Sequence, residues 1–130
     1  MDLNRFIEAH EKEYEQARSE IRSGRKKNSW IWYIFPQYKG LGSSEISKKY
    51  SIQSLDEERA YLGHPVLGVR LRQISNDLLK LNESNPHRIF GSPDDLKLKS
   101  SMTLFSVVDE SDDKVFFKVL DKYYNPEIVI

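Results

Sequence analysis

The sequence contains no cysteine, which excludes disulfide bonds, thiolate nucleophiles and thiolate metal ligands. Charge of either sign is not in excess, because 20 Lys and Arg residues balance 20 Asp and Glu residues. A neutral chain has no bulk attraction for nucleic acid or for an anionic membrane surface. No apolar run approaches the length of a membrane span, and the polar first five residues are unlike a signal peptide. These absences predict a cytoplasmic protein without a membrane or nucleic-acid partner.

Glycine and proline are also few, with six and five residues, and they form no linker that would separate two domains. The chain shows no internal repeat and no low-complexity segment. Its length of 130 residues is typical of one domain, and a hydrophobic content of 38% is enough for a core. We therefore expect residues 1–130 to form a single domain.

Apolar residues recur at helical spacing through most of the chain, and capping signals bound the periodic segments. Gly24 ends the first segment, Ser54 with Glu57 forms a capping box, and Pro65 and Pro93 each occupy a first helical position. The predicted helices span residues 4–23, 54–63, 65–82, 92–108 and 115–124. The apolar block 30–35 is too short for its period to separate a buried helical turn from a strand. The prediction is a mainly α-helical bundle of five to six helices with little or no sheet.

The helical projection also predicts which side chains form the core. They are the large apolar residues that share one face of each helix or lie in the aromatic block. The predicted core residues are Trp30, Phe35, Leu67, Leu71, Ile74, Leu78, Leu98, Met102, Phe105 and Phe117.

Lys97 is the polar residue least expected at its position, because it projects between Leu104 and Val108 on an apolar helix face. Burial of an unpaired ammonium is costly, so we expect Lys97 to be largely buried and bonded to a carboxylate or backbone oxygen. A structural ion pair and a binding or catalytic lysine both fit this pattern. Ser101 lies one turn further on, at a spacing compatible with a Lys–Ser pair for acyl transfer, although such pairs also arise by chance.

Other polar residues allow two interpretations each. Arg70 borders the leucine stripe of its helix, where it fits a clamp for carboxylate or phosphate as well as an internal ion pair. His64 precedes a helix start that favours anions, but a helix cap needs no further role. His10 is interpreted as a core histidine, and His87 as a solvated residue in a polar turn.

Metal and nucleotide motifs are absent from the sequence. No two histidines share a helix at ligand spacing, and the segment that starts at Gly40 lacks the lysine of a phosphate-binding loop. The basic run 22–27 followed by Trp30 is too short to indicate nucleic-acid binding in a neutral chain. We therefore predict neither a metal nor a cofactor.

Several blocks of sequence carry a family resemblance. They are Leu-Asn-Arg-Phe at 3–6, Gly-Arg-Lys-Lys-Asn-Ser-Trp-Ile-Trp-Tyr-Ile-Phe-Pro-Gln at 24–37, Gly-Leu-Gly-Ser-Ser at 40–44, and residues 50–52, 60–62, 64–68 and 91–105. Together they resemble the bacterial family called domain of unknown function 1810, over nearly the full chain. The resemblance implies a compact, mainly α-helical fold and no established activity.

Members of that family often carry the label calpastatin, the name of a calpain inhibitor. Inhibitors of that name are long, repetitive and largely disordered, whereas this chain is short, aromatic-rich and punctuated for packing. The sequence pattern therefore disagrees with the label. Members usually continue after the last helix with a Gly-Gly-Asp-like stretch and more leucines, from which residues 126–130 depart.

Two functional hypotheses follow. The first is a pocket between helices for a small polar or anionic ligand, with aromatic side chains for a ring and cations for an anion. Its candidate residues are Trp30, Trp32, Gln37, His64, Arg70, Lys97 and Ser101. A general similarity in size and helical character to the NADAR class of ADP-ribose-handling domains implies a nucleotide-like ligand, without any shared motif. The second hypothesis is a protein-interaction module that exposes the aromatic block from Trp30 to Phe35.

Overall fold

The computed structural model describes residues 2–125, and in this range the chain forms eight α-helices and no extended sheet. The helices are α1 (Asn4–Arg22), α2 (Ile31–Ile34), α3 (Glu45–Lys49), α4 (Leu55–Gly63), α5 (Leu67–Lys80), α6 (Pro86–Phe90), α7 (Asp94–Val108) and α8 (Val115–Tyr124). The mainly helical fold is confirmed, whereas the predicted count of five to six helices is too low. The departure of residues 126–130 from the family pattern lies outside the described residues.

The predicted capping signals account for the ends of the long helices. Gly24 adopts φ +84, which lets its N–H reach Ile21 O and end α1 after Arg22. The Ser54 hydroxyl accepts a hydrogen bond of 3.1 Å from Glu57 N at the start of α4. The two prolines precede their helices instead of occupying the first helical position, because α5 begins at Leu67 and α7 begins one residue after Pro93.

The additional helices are the short ones, α2, α3 and α6, each of four or five residues. A single helical turn shows too little of the 3.6-residue period to be recognised from sequence. Two of them nevertheless carry ordinary caps: the Ser44 side chain accepts from Ser47 N, and the Asn85 side chain accepts from His87 N. α2 makes the aromatic block helical, which resolves the open choice between helix and strand.

The long helices pack around α5, which contacts α1, α4 and α8. α7 packs against α8, α6, α4 and α2, and so closes the other side of the core. The only β-type pairing in the described range is a parallel bridge between Tyr38 and Ile52. Among the described helices, none has both the length and the apolar character needed to cross a membrane.

The core contains nine of the ten predicted residues, from Trp30 to Phe105, and each is at most 1% exposed. Phe117 is the exception, because it is 47% exposed while its neighbour Phe116 is fully buried. The prediction of Phe117 as a core residue is therefore wrong. Its neighbour Phe116 packs in the core instead, with its ring 6.0 Å from that of Phe105.

Helix α1 is held along its whole length by residues that come later in the chain. Three of its four partners lie in α4 or α5, and the fourth lies in α2. The pairs are Arg5 with Glu57, His10 with Tyr33 O, Tyr14 with Arg70 O, and Arg18 with Asp77.

Candidate functional site

The predicted site residues do not meet in one pocket. Lys97, Trp32 and Gln37 lie together beside α7, while Trp30 lies in the adjacent core. Arg70 and His64 belong to a second group near His10 on α1. Ser101 is fully buried, and its hydroxyl has no hydrogen-bond partner within the described residues.

Trp30 serves the core, and its indole is bound by the carboxylate of Glu20. Trp30 Nε1 donates to Glu20 Oε1 at 2.9 Å. The same carboxylate accepts from Lys27 N, Asn28 N and the Asn28 amide, so it fixes the segment after α1. Burial favours a raised pKa for Glu20, but these hydrogen bonds, with one from Gln16, outweigh it and lower the pKa to about 2.

The segment after α1 that Glu20 holds in place forms one wall of a basic surface depression. Lys26 N donates to Ile89 O at 2.7 Å, which joins the segment to α6. A cleft of about 550 Å³ lies between them. We call it the cationic cleft, and its lining residues are Arg25, Lys26, His87, Arg88, Ile89, Phe90 and Gly91.

Four basic residues therefore line one cleft, and they differ in how far acids already neutralise them. Arg88 pairs with Glu83 at 3.5 Å, and the His87 ring lies 3.6 Å from Asp95. Arg25 makes no ion pair within the part of the chain that the structure describes. The cleft thus keeps exposed positive charge at its rim.

Lys26 is the buried cation of the cleft, and a shared carboxylate links it to Lys97. Lys26 Nζ lies 2.7 Å from Asp94 Oδ2, and Lys97 Nζ lies 3.2 Å from Asp94 Oδ1. We call these three residues the lysine–aspartate bridge. Each lysine also covers a tryptophan ring: Lys26 lies 5.1 Å from the Trp30 ring centre and Lys97 4.0 Å from that of Trp32.

The expectation for Lys97 is confirmed in its partner and only in part in its burial. Its ammonium pairs with a carboxylate, but its side chain keeps 24% of its exposure. It is therefore a half-buried residue whose stem covers Trp32 while its charge remains near solvent.

Trp32 and Gln37 hold the surroundings of Lys97 in place. Gln37 Nε2 donates to Lys97 O at 2.8 Å and to Phe35 O at 3.0 Å, which ties α7 to the end of the aromatic block. Gly42 packs so closely against Trp32 that a Cβ there would lie 3.3 Å from the Trp32 ring and 2.7 Å from Ser47. Only a glycine fits this contact without movement of its neighbours.

The second group of predicted residues has a structural arrangement. The His64 ring accepts hydrogen bonds at Nδ1 from Val66 N and Leu67 N, at 3.0 and 3.2 Å, so it caps the start of α5. Arg70 lies over the Tyr14 ring, 4.8 Å from its centre. Arg70 makes no carboxylate pair among the described residues.

His10 is a buried histidine, as predicted, and it is only half satisfied. Its Nε2 lies 2.8 Å from Tyr33 O, whereas Nδ1 has no partner among the described residues. Burial lowers the pKa of His10 to about 4, although the hydrogen bond to Tyr33 opposes this, and the charge of Arg70 adds to the decrease. The ring is therefore neutral at pH 7, with Nε2 as the donor to Tyr33 O.

The aromatic block offers little free surface for docking. Trp30, Ile31, Tyr33, Ile34 and Phe35 are all buried, and Trp32 alone is half-buried. In the described range, moreover, no group of three or more metal-ligating side chains comes together.

The family model of the DUF1810 proteins, described as proteins of unknown function, matches residues 1–128. The chain belongs to the DUF1810 family. The crystal structure of the conserved hypothetical protein Rv1873 from Mycobacterium tuberculosis is similar to this DUF1810 structure, with a TM-score of 0.90 and 44% sequence identity. The match covers 95% of this chain and 87% of that protein. A search of curated proteins found no match.

Sequence reasoning did not place the cationic cleft of this DUF1810 protein. The basic run 22–27, which contains Arg25 and Lys26, was judged too short for nucleic-acid binding, and His87 was interpreted as a solvated residue. The available signal was the basic run 22–27 itself, which lies outside α1 from residue 23 onward and so does not serve that helix alone. The run comes close to His87 and Arg88 through tertiary contacts, among them the hydrogen bond from Lys26 N to Ile89 O and the ring contact between Trp30 and Phe90.

Proposed function

We propose that this DUF1810 protein binds a small anionic ligand in the cationic cleft. The observation that carries the proposal is that four basic residues, at positions 25, 26, 87 and 88, line a cleft of about 550 Å³. Such a volume lies within the range typical of small-molecule sites, roughly 300–1,000 Å³. A nucleotide or another phosphorylated metabolite is the ligand class considered first.

The side-chain types support an anion in particular. The guanidinium groups of Arg25 and Arg88 present planar donors that fit carboxylate and phosphate oxygens in pairs. Both arginines are exposed at the rim, so a ligand meets them without opening the core. Phe90 gives the cleft an apolar floor, since it is buried but lines the cavity.

Trp30 and Lys97 enter the proposal indirectly: Trp30 lies under Lys26, and Lys97 is a member of the lysine–aspartate bridge. His64, Arg70 and Ser101 have their own structural surroundings and are not part of the proposed cleft. The alternative of a protein-docking role for the aromatic block has weaker support, because five of its six side chains are buried. The proposal concerns binding and includes no reaction, and it assumes a cytoplasmic location.

The proposal is tested by isothermal titration calorimetry and thermal denaturation with phosphate, pyrophosphate and nucleoside diphosphates. A ligand that binds only the folded protein raises its melting temperature. We expect binding that weakens about tenfold or more in the double variant Arg25→Gln/Arg88→Gln, since both changes remove charge-assisted hydrogen bonds. Arg59→Gln is the matched control, because Arg59 is exposed on α4 and does not line the cleft. Equal binding by all three proteins, or none by the parent, would overturn the proposal.

A further inference from the structure

The lysine–aspartate bridge occupies the ammonium of Lys26, a residue that lines the cationic cleft, whereas Asp94 itself is not among the lining residues. Lys26 is the least exposed basic group of the cleft, with 9% of its side chain accessible, and Asp94 Oδ2 takes its ammonium at 2.7 Å. The cation–π contact with the Trp30 ring also holds the ammonium of Lys26 in place. An anion that binds the ammonium of Lys26 therefore competes with Asp94 for it.

We infer that Asp94 acts as a built-in competitor that an anionic ligand displaces from Lys26 toward Lys97. The inference rests on the proposed function, because it concerns the same cleft. Removal of one partner from a buried ion pair is costly when the remaining charge is left alone. Here the remaining charge is not alone, since Lys97 already binds the other carboxylate oxygen at 3.2 Å.

Competition with a carboxylate also selects the class of ligand. A monocarboxylate offers Lys26 the same single charge as Asp94, and it gains little from the exchange. A phosphate monoester or a pyrophosphate carries more charge and more acceptor oxygens, which also reach Arg25 and Arg88. The cleft should therefore discriminate in favour of phosphorylated ligands over carboxylates of similar size.

Other charged groups near the cleft do not hold Lys26 in this way. Asp95 lies beside His87 at 3.6 Å, and Glu83 lies beside Arg88 at 3.5 Å. Both of these pairs involve strongly exposed basic side chains, so solvent screens them. Asp94 is the acid whose removal frees a largely buried cation.

The test is a double-mutant cycle measured by calorimetry with inorganic pyrophosphate as the probe. Asp94→Asn should raise the affinity of the full chain by roughly three- to tenfold, because the exchange no longer has to break a charged pair. In the Lys26→Met background the same substitution should change the affinity less than about twofold. A general effect of charge would instead raise the affinity equally in both backgrounds, and so would contradict the inference.

Two controls keep the result interpretable. Circular dichroism melts of each variant establish that the compared proteins are folded at the titration temperature. Asp112→Asn removes the same charge at an exposed site outside the cleft, and it should leave the affinity within about twofold of the parent. If the parent binds pyrophosphate but Asp94→Asn binds equally or more weakly, displacement is overturned while the proposed function stands. If neither the parent nor Asp94→Asn binds, both are overturned.

Discussion

Glu20 organises more of this protein than any other single charged residue described above. It is 4% exposed, and it accepts hydrogen bonds from two backbone N–H groups and three side chains around residues 16–30. These donors are what make a buried carboxylate tolerable in a core that also contains Trp30. The position of the segment that forms the cationic cleft therefore depends on one carboxylate.

Glu20→Gln should destabilise the fold by about 1–3 kcal/mol, because the amide group cannot accept all of these hydrogen bonds and leaves buried donors unpaired. Since the pKa of Glu20 is lowered to about 2, its contribution is complete above pH 4.5 and is lost as the pH falls toward 2. The difference between variant and parent, measured by urea denaturation at pH 7 and pH 3, should be smaller at the lower pH. A pH-independent difference would show that charge is not involved.

Glu58 shows the opposite behaviour. It is 1% exposed, and its Oε2 finds no hydrogen-bond partner among the described residues. Burial raises the pKa of Glu58 to about 7, and the charge of Arg59 only partly opposes this. The folded protein therefore binds a proton at this site between pH 4.5 and 7, a range in which the unfolded chain has lost it.

Glu58→Gln should consequently stabilise the protein relative to the parent at pH 8 and have little effect at pH 4. Between pH 4.5 and 7 the carboxyl is protonated in the folded protein and ionised in the unfolded chain, so a rise in pH favours unfolding and the parent loses stability. The substitution Glu58→Gln removes this loss. Paired urea titrations at the two pH values measure the difference. Glu8→Gln, at an exposed position of α1, is the control and should give the same difference at both. A parent-like Glu58→Gln at pH 8 would contradict the raised pKa.

At the scale of elements, α8 decides how α5 and α7 are covered. Its buried face contains Val115, Phe116, Val119, Leu120 and Tyr123. Its Lys122 reaches the C-terminal end of α5, where Nζ donates to the carbonyl oxygens of Leu78, Leu79 and Leu81. A cation at these carbonyls supplies the donors that a helix C-terminus lacks.

Phe116→Ala should cost about 3–5 kcal/mol, as expected for removal of a fully buried phenylalanine side chain. Its neighbour gives a matched control: Phe117→Ala, at a position 47% exposed, should change the free energy of unfolding by less than about 1 kcal/mol. Both variants are compared by chemical denaturation under identical conditions. Equal losses would mean that α8 is rotated relative to the orientation described above.

The same helix shows what could and could not be predicted from sequence. The bounds of α7 and α8 were predicted to within two residues at each end, because both segments have clear apolar periods and punctuation. The exact rotation of α8 was not, since Val115, Phe116 and Phe117 are consecutive apolar residues and any of them could face the core. Short helices such as α6 escaped prediction because one turn contains no period.

The candidate site was harder to predict than the fold, for a physical reason. Lys97 was predicted as a candidate because an ammonium on an apolar helix face is unusual and needs a partner. Arg25 and Arg88 gave no such signal, because arginines at the surface are ordinary. Tertiary contacts such as that between Lys26 and Ile89 bring them to one cleft.

At the scale of the whole molecule, Lys97 connects the cationic cleft to the surface around Trp32 without lining the cleft. Lys97→Met keeps the apolar stem over Trp32, and Asp94 keeps Lys26, so the loss of stability should stay below about 1 kcal/mol. If Asp94 must move toward Lys97, the variant should bind pyrophosphate several-fold more weakly than the parent. Lys118→Met, exposed on α8, controls for the loss of one positive charge.

The partners of α1 determine when this helix can settle during synthesis. Arg5 and His10 find their partners in Glu57 and Tyr33 O, whereas Tyr14 and Arg18 bond to Arg70 and Asp77 of α5, which leaves the ribosome later. A helix owes most of its stability in a protein to packing against other elements and is marginal on its own. We therefore expect the nascent amino-terminal half to become resistant to proteases only after α5 has emerged.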